Sequence, residues 1–321
     1  MNRELPNIRH LSLGELTEYF EGLGEKKFRI QQVHEWLWQK HAHSFDDMTN
    51  LSKELRAKLN ETFILPALTI DKTQVSEDGT VKSRFKTFDK HFIEGVLIPT
   101  EERKTACVSS QIGCSLSCKF CATGTMDRKR NLTYDEIYDQ VVLLNKESER
   151  IFEKKLSNIV FMGMGEPLLN YDNVLKAVER ISAEDGLFMS PRRITVSTAG
   201  VSKQIRKLGD DKVRFKLALS LHAANDKKRN EITFEYILFK NFNDSQKDAE
   251  ELVKLFRQVP ADLVNIIEYN PIDTFNMTKP DEQGIEDFMN YLEANRVNAR
   301  LRRSRGKDID AACGQLANKG K

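Results

Sequence analysis

The sequence predicts an α/β protein, with repeated strand–helix units winding a parallel sheet into a partial, TIM-like (β/α)6 barrel. Three observations carry this. From residue 134 onward amphipathic helical stretches alternate with short apolar strands, as in YDEIYDQVVLLNKES followed by NIVFMGM and YDNVLKAVERISA followed by RITVST. Before that series, residues 65–99 alternate apolar and polar side chains around a Glu77-Asp78-Gly79 turn, the pattern of antiparallel strands. Earlier still, residues 12–63 repeat apolar positions at helical spacing.

The first helix opens on a Ser-x-x-Glu capping box at Ser12 and Glu15. RIQQVHEWLWQK and LSKELRAKLNETF supply two more helices, so residues 1–64 read as a small helical accessory domain. Residues 65–99 form a β-rich connector, and residues 100–321 the barrel with a C-terminal cysteine loop. The barrel strands continue through FKLALSLH, TFEYILF, LVNIIEYN and ARLRRS, with the helices VSKQIRKL, DAEELVKLFRQV and EQGIEDFMNYLEANR between them. One connection breaks the rhythm. Between His222 and Thr233 lie ten residues, short for a parallel crossover, which normally needs a dozen or more. The stretch AANDKKRNEI could form one short turn of helix at best, and the sequence gives no physical account of how those two strands would sit side by side.

A 31% charged, 40% hydrophobic composition is that of a globular protein, and no apolar run reaches the length of a membrane span. The first residues, MNRELPNIRHLSLGEL, carry no apolar segment of a secretion signal, so a cytoplasmic site is expected. A net charge of +2 argues against a chain that coats nucleic acid nonspecifically, though basic runs at 127–130 and 300–307 concentrate charge locally. Five cysteines, an odd number, argue for metal or thiol chemistry rather than a disulfide framework.

Cys114, Cys118 and Cys121 follow the first strand of the βα series at C-x3-C-x2-C spacing. Three thiolates in one loop can each bind one iron of a cubane [4Fe-4S] cluster and leave the fourth iron open. That open iron can chelate the amino and carboxyl groups of S-adenosylmethionine. The rivals are a zinc site and inert core cysteines. Zinc wants four ligands, usually as paired Cys-x-x-Cys units; Cys107 could be a fourth, but no second pair exists. The spacing favours the cluster.

With Phe120 before the third cysteine, the loop resembles that of the radical-SAM superfamily. GMGEPLLNYDNV at 163–174, ITVSTAG at 194–200, LSLHAANDKKRNEI at 219–232, EYNP at 268–271 and RRSRGKDIDAACGQL at 302–316 narrow the resemblance to the RlmN/Cfr family of RNA adenosine methyltransferases. Pro167, Leu168 and Leu169 resemble its RlmN branch, which methylates adenine C2. The resemblance implies C2 methylation of an adenosine in 23S rRNA and in tRNA, consuming two S-adenosylmethionine molecules. One methylates a cysteine by displacement; the other gives the radical that activates that methyl group. It further implies RNA binding by the helical domain of residues 1–64, a covalent protein–RNA intermediate, a transient disulfide, an electron donor such as a flavodoxin or ferredoxin, and a monomer.

By motif, the resemblance makes Cys313 the methyl carrier, on a flexible tail able to visit both cofactor and RNA. Cys107 resembles the second cysteine, which resolves the covalent link, and Glu94 the proton acceptor. A carboxylate among the apolar neighbours of FIEGVLIP should have a raised pKa, which suits a base. Gly165, Glu166, Ser197, Ser220, Leu221, His222 and Asn270 fall at successive strand ends, where a barrel builds its site, and are the candidates for binding S-adenosylmethionine. The family continues beyond 232 with a helix absent here, about two dozen residues in the connection already too short for a crossover. A second reading follows from that gap: a cluster-binding RNA-binding or assembly protein without activity.

Overall fold

In a computed structural model, residues 5–220, 232–259 and 261–318 are described. Three helices come first, α1 (Leu13–Gly22), α2 (Lys27–Trp38) and α3 (Lys53–Thr62). The Ser12–Glu15 capping box forms: Ser12 Oγ accepts from the Glu15 N–H, and Glu15 Oε2 accepts from the Ser12 N–H at 2.7 Å. The apolar faces of the three helices, Leu16, Phe20, Val33, Leu37, Leu55 and Leu59 among them, bury in the same core as the first part of the sheet.

A buried ion cluster fastens this helical unit to α4 (Tyr134–Phe152). Arg9, 4% exposed, grips Asp139 with two nitrogens, at 2.6 and 2.8 Å, and lies 3.8 Å from Asp135. His10 and Asn7 also reach Asp135, at 2.9 and 2.8 Å. Burial alone would raise the Asp135 carboxyl, but His10, Arg9 and Thr133 outweigh it and hold it well below the ordinary range.

The sheet has ten strands in one order. The connector strands β1 (Thr69–Val75), β2 (Val81–Lys86) and β3 (Phe92–Pro99) run antiparallel and join the barrel strands through β4 (Lys104–Cys107). From β4 onward all pairings are parallel: β7 (Asn158–Phe161), β8 (Ile194–Thr198), β9 (Lys216–Ser220), β10 (Ile232–Leu238), β11 (Ala261–Glu268) and β12 (Ala299–Arg302). Helices α4, α5 (Tyr171–Ser182), α6 (Ser202–Asp210), α7 (Gln246–Gln258) and α8 (Glu282–Ala294) occupy five of the six crossovers. Their apolar faces bury against the sheet, as Val174, Ala177 and Ile181 show on α5. A two-stranded ribbon, β5 (Gln111–Ile112) with β6 (Arg130–Asn131), closes the base of the cysteine loop.

The short crossover does not separate its strands. β9 and β10 pair in parallel from Leu217 with Ile232 to Ser220 with Glu235. Eleven residues of extended chain reach roughly 36–40 Å, ample to return along a strand of this length without a full helix. The usual crossover length is a preference of packed βα units, not a limit of reach. Residues 221–231, with Leu221 and His222, lie outside the described residues. No helix among the described residues is long and apolar enough to cross a membrane.

Candidate active site

The parallel strands point their C-terminal ends at one mouth, and the loops there surround an open cavity. Cys114, Cys118 and Cys121 line one wall; Gly165, Glu166, Ser197, Ser220 and Asn270 line the floor and the opposite side; Cys313 enters from the C-terminal loop. Five of the seven residues expected to bind S-adenosylmethionine thus converge, the other two being Leu221 and His222.

The cysteine loop is shaped by its backbone. The Cys121 N–H donates to the Cys118 carbonyl at 3.0 Å and the Gly124 N–H to the Cys121 carbonyl at 2.9 Å. A Cβ at Gly124 would lie 2.5 Å from the Cys118 carbonyl oxygen, so the loop closes this tightly only around glycine. Burial, then the charges of Cys121 and Cys114, push the Cys118 thiol up to about 11. Burial likewise raises Cys114. Mutual repulsion of this kind is relieved when cationic iron binds the thiolates. Three thiolates in one loop suit a cubane, each taking a different iron and leaving the fourth open, whereas zinc wants four ligands around one ion.

Gly165 lies at φ +94°, and a Cβ there would meet the Gln111 side chain at 2.5 Å and its backbone nitrogen at 2.9 Å. Glycine is required, and the turn it makes aims Glu166 inward. Glu166 is buried, which raises its pKa against the opposing hydrogen bonds. Its two oxygens accept from the Leu168 and Ala199 N–H groups at 3.0 and 2.9 Å, so it also ties the ends of β7 and β8 together. Ser197 and Ser220 share a 3.1 Å hydrogen bond across adjacent strand ends. Asn270 donates to the Cys313 carbonyl at 3.1 Å, linking the cofactor side of the cavity to the C-terminal loop.

Cys107 ends β4 between Val96 and Val160, buried; burial first and then neighbouring Cys313 push its thiol up to about 12. Cys313 is exposed, but toward the cavity it lines, and protein crowding from the other sides raises its thiol. Its segment is held rather than loose. The Ala122 N–H donates to the Gly314 carbonyl at 2.7 Å, and Thr123 Oγ1 to the Leu316 carbonyl at 2.6 Å.

Glu94 departs from expectation. It is 3% exposed, yet its surroundings are polar: Oε2 accepts from the Ala317 and Asn318 N–H groups at 3.0 and 3.2 Å, and Oε1 lies 3.8 Å from Lys82 Nζ. The apolar neighbours of FIEGVLIP alternate away from it along the strand, while Lys82 and the chain terminus arrive from elsewhere in sequence.

A pair at the cavity wall, buried Glu235 with partly exposed Arg302, escapes sequence reasoning. Arg302 on β12 reaches Glu235 on β10 at 3.3 Å and the Met162 sulfur at 3.3 Å, and Asn265 donates to Glu235 at 2.7 Å. The one sequence signal is a carboxylate in the middle of the apolar strand TFEYILF. Of the basic runs, Arg130 is consumed internally by Asp89 and Glu136, both at 2.7 Å. At the cavity rim, by contrast, Lys279, Arg303 and Lys307 stand half exposed around the buried Glu268 carboxylate. Burial would raise that carboxyl, but Lys307, the Ser304 N–H and Lys279 hold it down at about 2.

Comparison with known proteins agrees with this architecture. The family model for the ribosomal RNA large subunit methyltransferase N-terminal domain matches residues 6–65, and that of the radical SAM superfamily residues 108–271. The probable dual-specificity RNA methyltransferase RlmN of Cytophaga hutchinsonii is 52% identical over 339 aligned positions, covering 97% of this chain and 93% of its own. That of Christiangramia forsetii is 50% identical, covering 98% and 96%. The alignments exceed the 321 residues of the chain, so the relatives carry residues that it lacks. A crystal structure of a radical SAM methyltransferase from Sphaerobacter thermophilus superposes with a TM-score of 0.89 at 38% identity, over 97% of this chain and 99% of the other. With the fold, the cysteine loop and these relatives in agreement, the chain belongs to the RlmN family of radical-SAM RNA methyltransferases.

Proposed function

We propose that the chain methylates C2 of an adenosine in 23S rRNA and in tRNA. The observation that carries this reading is the convergence, in one cavity, of the three loop cysteines with Cys313, and of Cys107 beside it. Cys114, Cys118 and Cys121 would hold the [4Fe-4S] cluster, and Glu166, Ser197, Ser220 and Asn270 would bind S-adenosylmethionine beside it. When bound, these groups would supply a one-electron cleavage of the sulfonium, and hence a radical able to take a hydrogen atom from the methyl group on Cys313, so that this carbon can add to the electron-poor adenine carbon. Cys313 takes and presents the methyl group. Cys107, as a thiolate, attacks the Cys313 sulfur; the sulfur–carbon bond breaks, the carbon leaves with the electron pair and takes up a proton to complete the methyl group, and the two cysteines are left as a transient disulfide. Glu94 accepts the proton lost from the adenine.

The RNA side is supported by charge at the rim. Lys279, Arg303 and Lys307 gather around Glu268, which itself lines the cavity; three half-exposed cations against one carboxylate, with Glu282 also taking Arg303, leave positive charge there to meet phosphates flanking an unstacked base. A flavodoxin or ferredoxin as electron donor, a monomeric state and a cytoplasmic site complete the reading. No observation favours the inactive alternative, since β9 and β10 pair despite their short connection.

The test is anaerobic reconstitution with iron and sulfide, followed by S-adenosylmethionine, reductant and unmodified 23S rRNA. The expected outcome is 2-methyladenosine, abolished by Cys313→Ala; Cys107→Ala should accumulate protein cross-linked to RNA. Cluster formation without product would sink the reading.

A further inference from the structure

We infer that Glu94 has a second task, as the anchor that positions the Cys313 loop. The inference rests on the reading of Cys313 as methyl carrier, and its evidence is the hydrogen bonding around that loop. Two successive N–H groups, of Ala317 and Asn318, converge on Glu94 Oε2 at 3.0 and 3.2 Å, a small anion-binding nest closed by a carboxylate of the protein itself. The Asn318 side chain adds a 2.6 Å bond to the Phe92 carbonyl on the same strand. On the other side of Cys313, Lys82 Nζ lies 3.8 Å from Glu94 Oε1 and donates to the Asp310 carbonyl at 3.3 Å. Glu94 and its partner lysine thus hold the chain both before and after Cys313, while Ala122 and Thr123 hold residues 314 and 316 against the cysteine loop. The result sets the methyl carrier beside the wall that would bind the cofactor.

This arrangement has a consequence for the order of events. With both oxygens engaged and the side chain buried, Glu94 cannot reach a proton on RNA while the tail is docked. The docked tail suits methyl transfer to Cys313; a tail lifted from Glu94 frees the carboxylate for the later proton transfer. A proton accepted by Glu94 removes the charge that makes the two amide bonds strong, so proton uptake and re-docking oppose each other.

Amide hydrogen exchange on the cofactor-free chain tests the anchor. Glu94→Ala should accelerate exchange at Ala317 and Asn318 by about tenfold or more, and Glu94→Gln by less, because charge-assisted bonds are the stronger kind. Amides of α2 should be unchanged. If Glu94→Ala loosens the whole fold, Glu94→Gln decides, since it keeps the shape and loses only the charge. Unchanged exchange at residues 317 and 318 in the folded variant overturns the anchor. A second readout is RNA-free transfer of methyl from S-adenosylmethionine to Cys313, followed by mass. Positioning predicts a roughly tenfold slower transfer in Glu94→Ala; a base that acts on RNA alone predicts no change, and that result overturns the positioning task. If wild-type Cys313 accepts no methyl at all, the proposed function fails, while the exchange measurement still decides the anchor.

Discussion

At the scale of the residue, the two cysteines outside the cluster loop differ in access more than in chemistry. Cys107 is sealed in the sheet between Val96 and Val160, whereas Cys313 faces the cavity. With its thiol pushed up to about 12, Cys107 is almost wholly protonated at neutral pH in the resting protein. Alkylation by iodoacetamide at pH 8, followed by peptide mass, should therefore find Cys107 about a thousandfold slower than a free thiol. The sign of the linkage follows. A raised thiol pKa contributes stability that is complete below the ordinary thiol value and is lost as pH rises from about 8.5 toward 12. Such a residue becomes useful only when something beside it changes, and Cys313, which raises its thiol, and Arg302, which lowers it, are the neighbours whose charges it feels. None of this is visible in CVSSQIGC, which says only that a cysteine ends a strand.

At the scale of the element, the N-terminal helices are attached by charge as well as by apolar packing. Arg9 is buried against Trp38 and gripped by Asp139 and Asp135 on α4. Arg9→Met would leave both carboxylates buried without their cation, a loss of about 3–5 kcal/mol measurable by urea denaturation at pH 7. Because Asp135 is held well below its ordinary value, its contribution is present above about pH 4 and is lost as the pH falls further. The wild type should accordingly lose stability on acidification, and Arg9→Met should lose less over the same range. The helices themselves were legible: the capping box at Ser12 and the apolar spacing placed α1 within two residues of its observed start. Their attachment was not, because a lone arginine in LPNIRHL reads as surface until α4 presents two aspartates to it.

At the scale of the whole molecule, one continuous sheet brings residues from Cys114 to Leu316 around one cavity. The basic rim gives a direct check on the RNA reading. Replacing Lys279 and Lys307 by Ala should weaken binding of an unmodified RNA stem–loop. It should also lower the slope of log affinity against log salt by about one for each phosphate no longer neutralised. An unchanged slope would remove these lysines from the interface. The sequence alone determined the α/β series, the cluster loop and the family, because those rest on local periodicity and on residue types at short fixed spacing. It could also nominate Glu94, Cys107 and Cys313, since each lies in a recognisable run of neighbours. Only the tertiary structure decided that Glu94 sits in a polar nest rather than an apolar pocket, that the Cys313 loop is fastened rather than loose, and that β9 and β10 pair across their short link. It alone also joined Arg302 to Glu235. The physical reason is common to all four: each depends on partners brought together by strand order, tens to hundreds of residues apart, and hydrogen bonds at that separation leave no periodic trace in the chain.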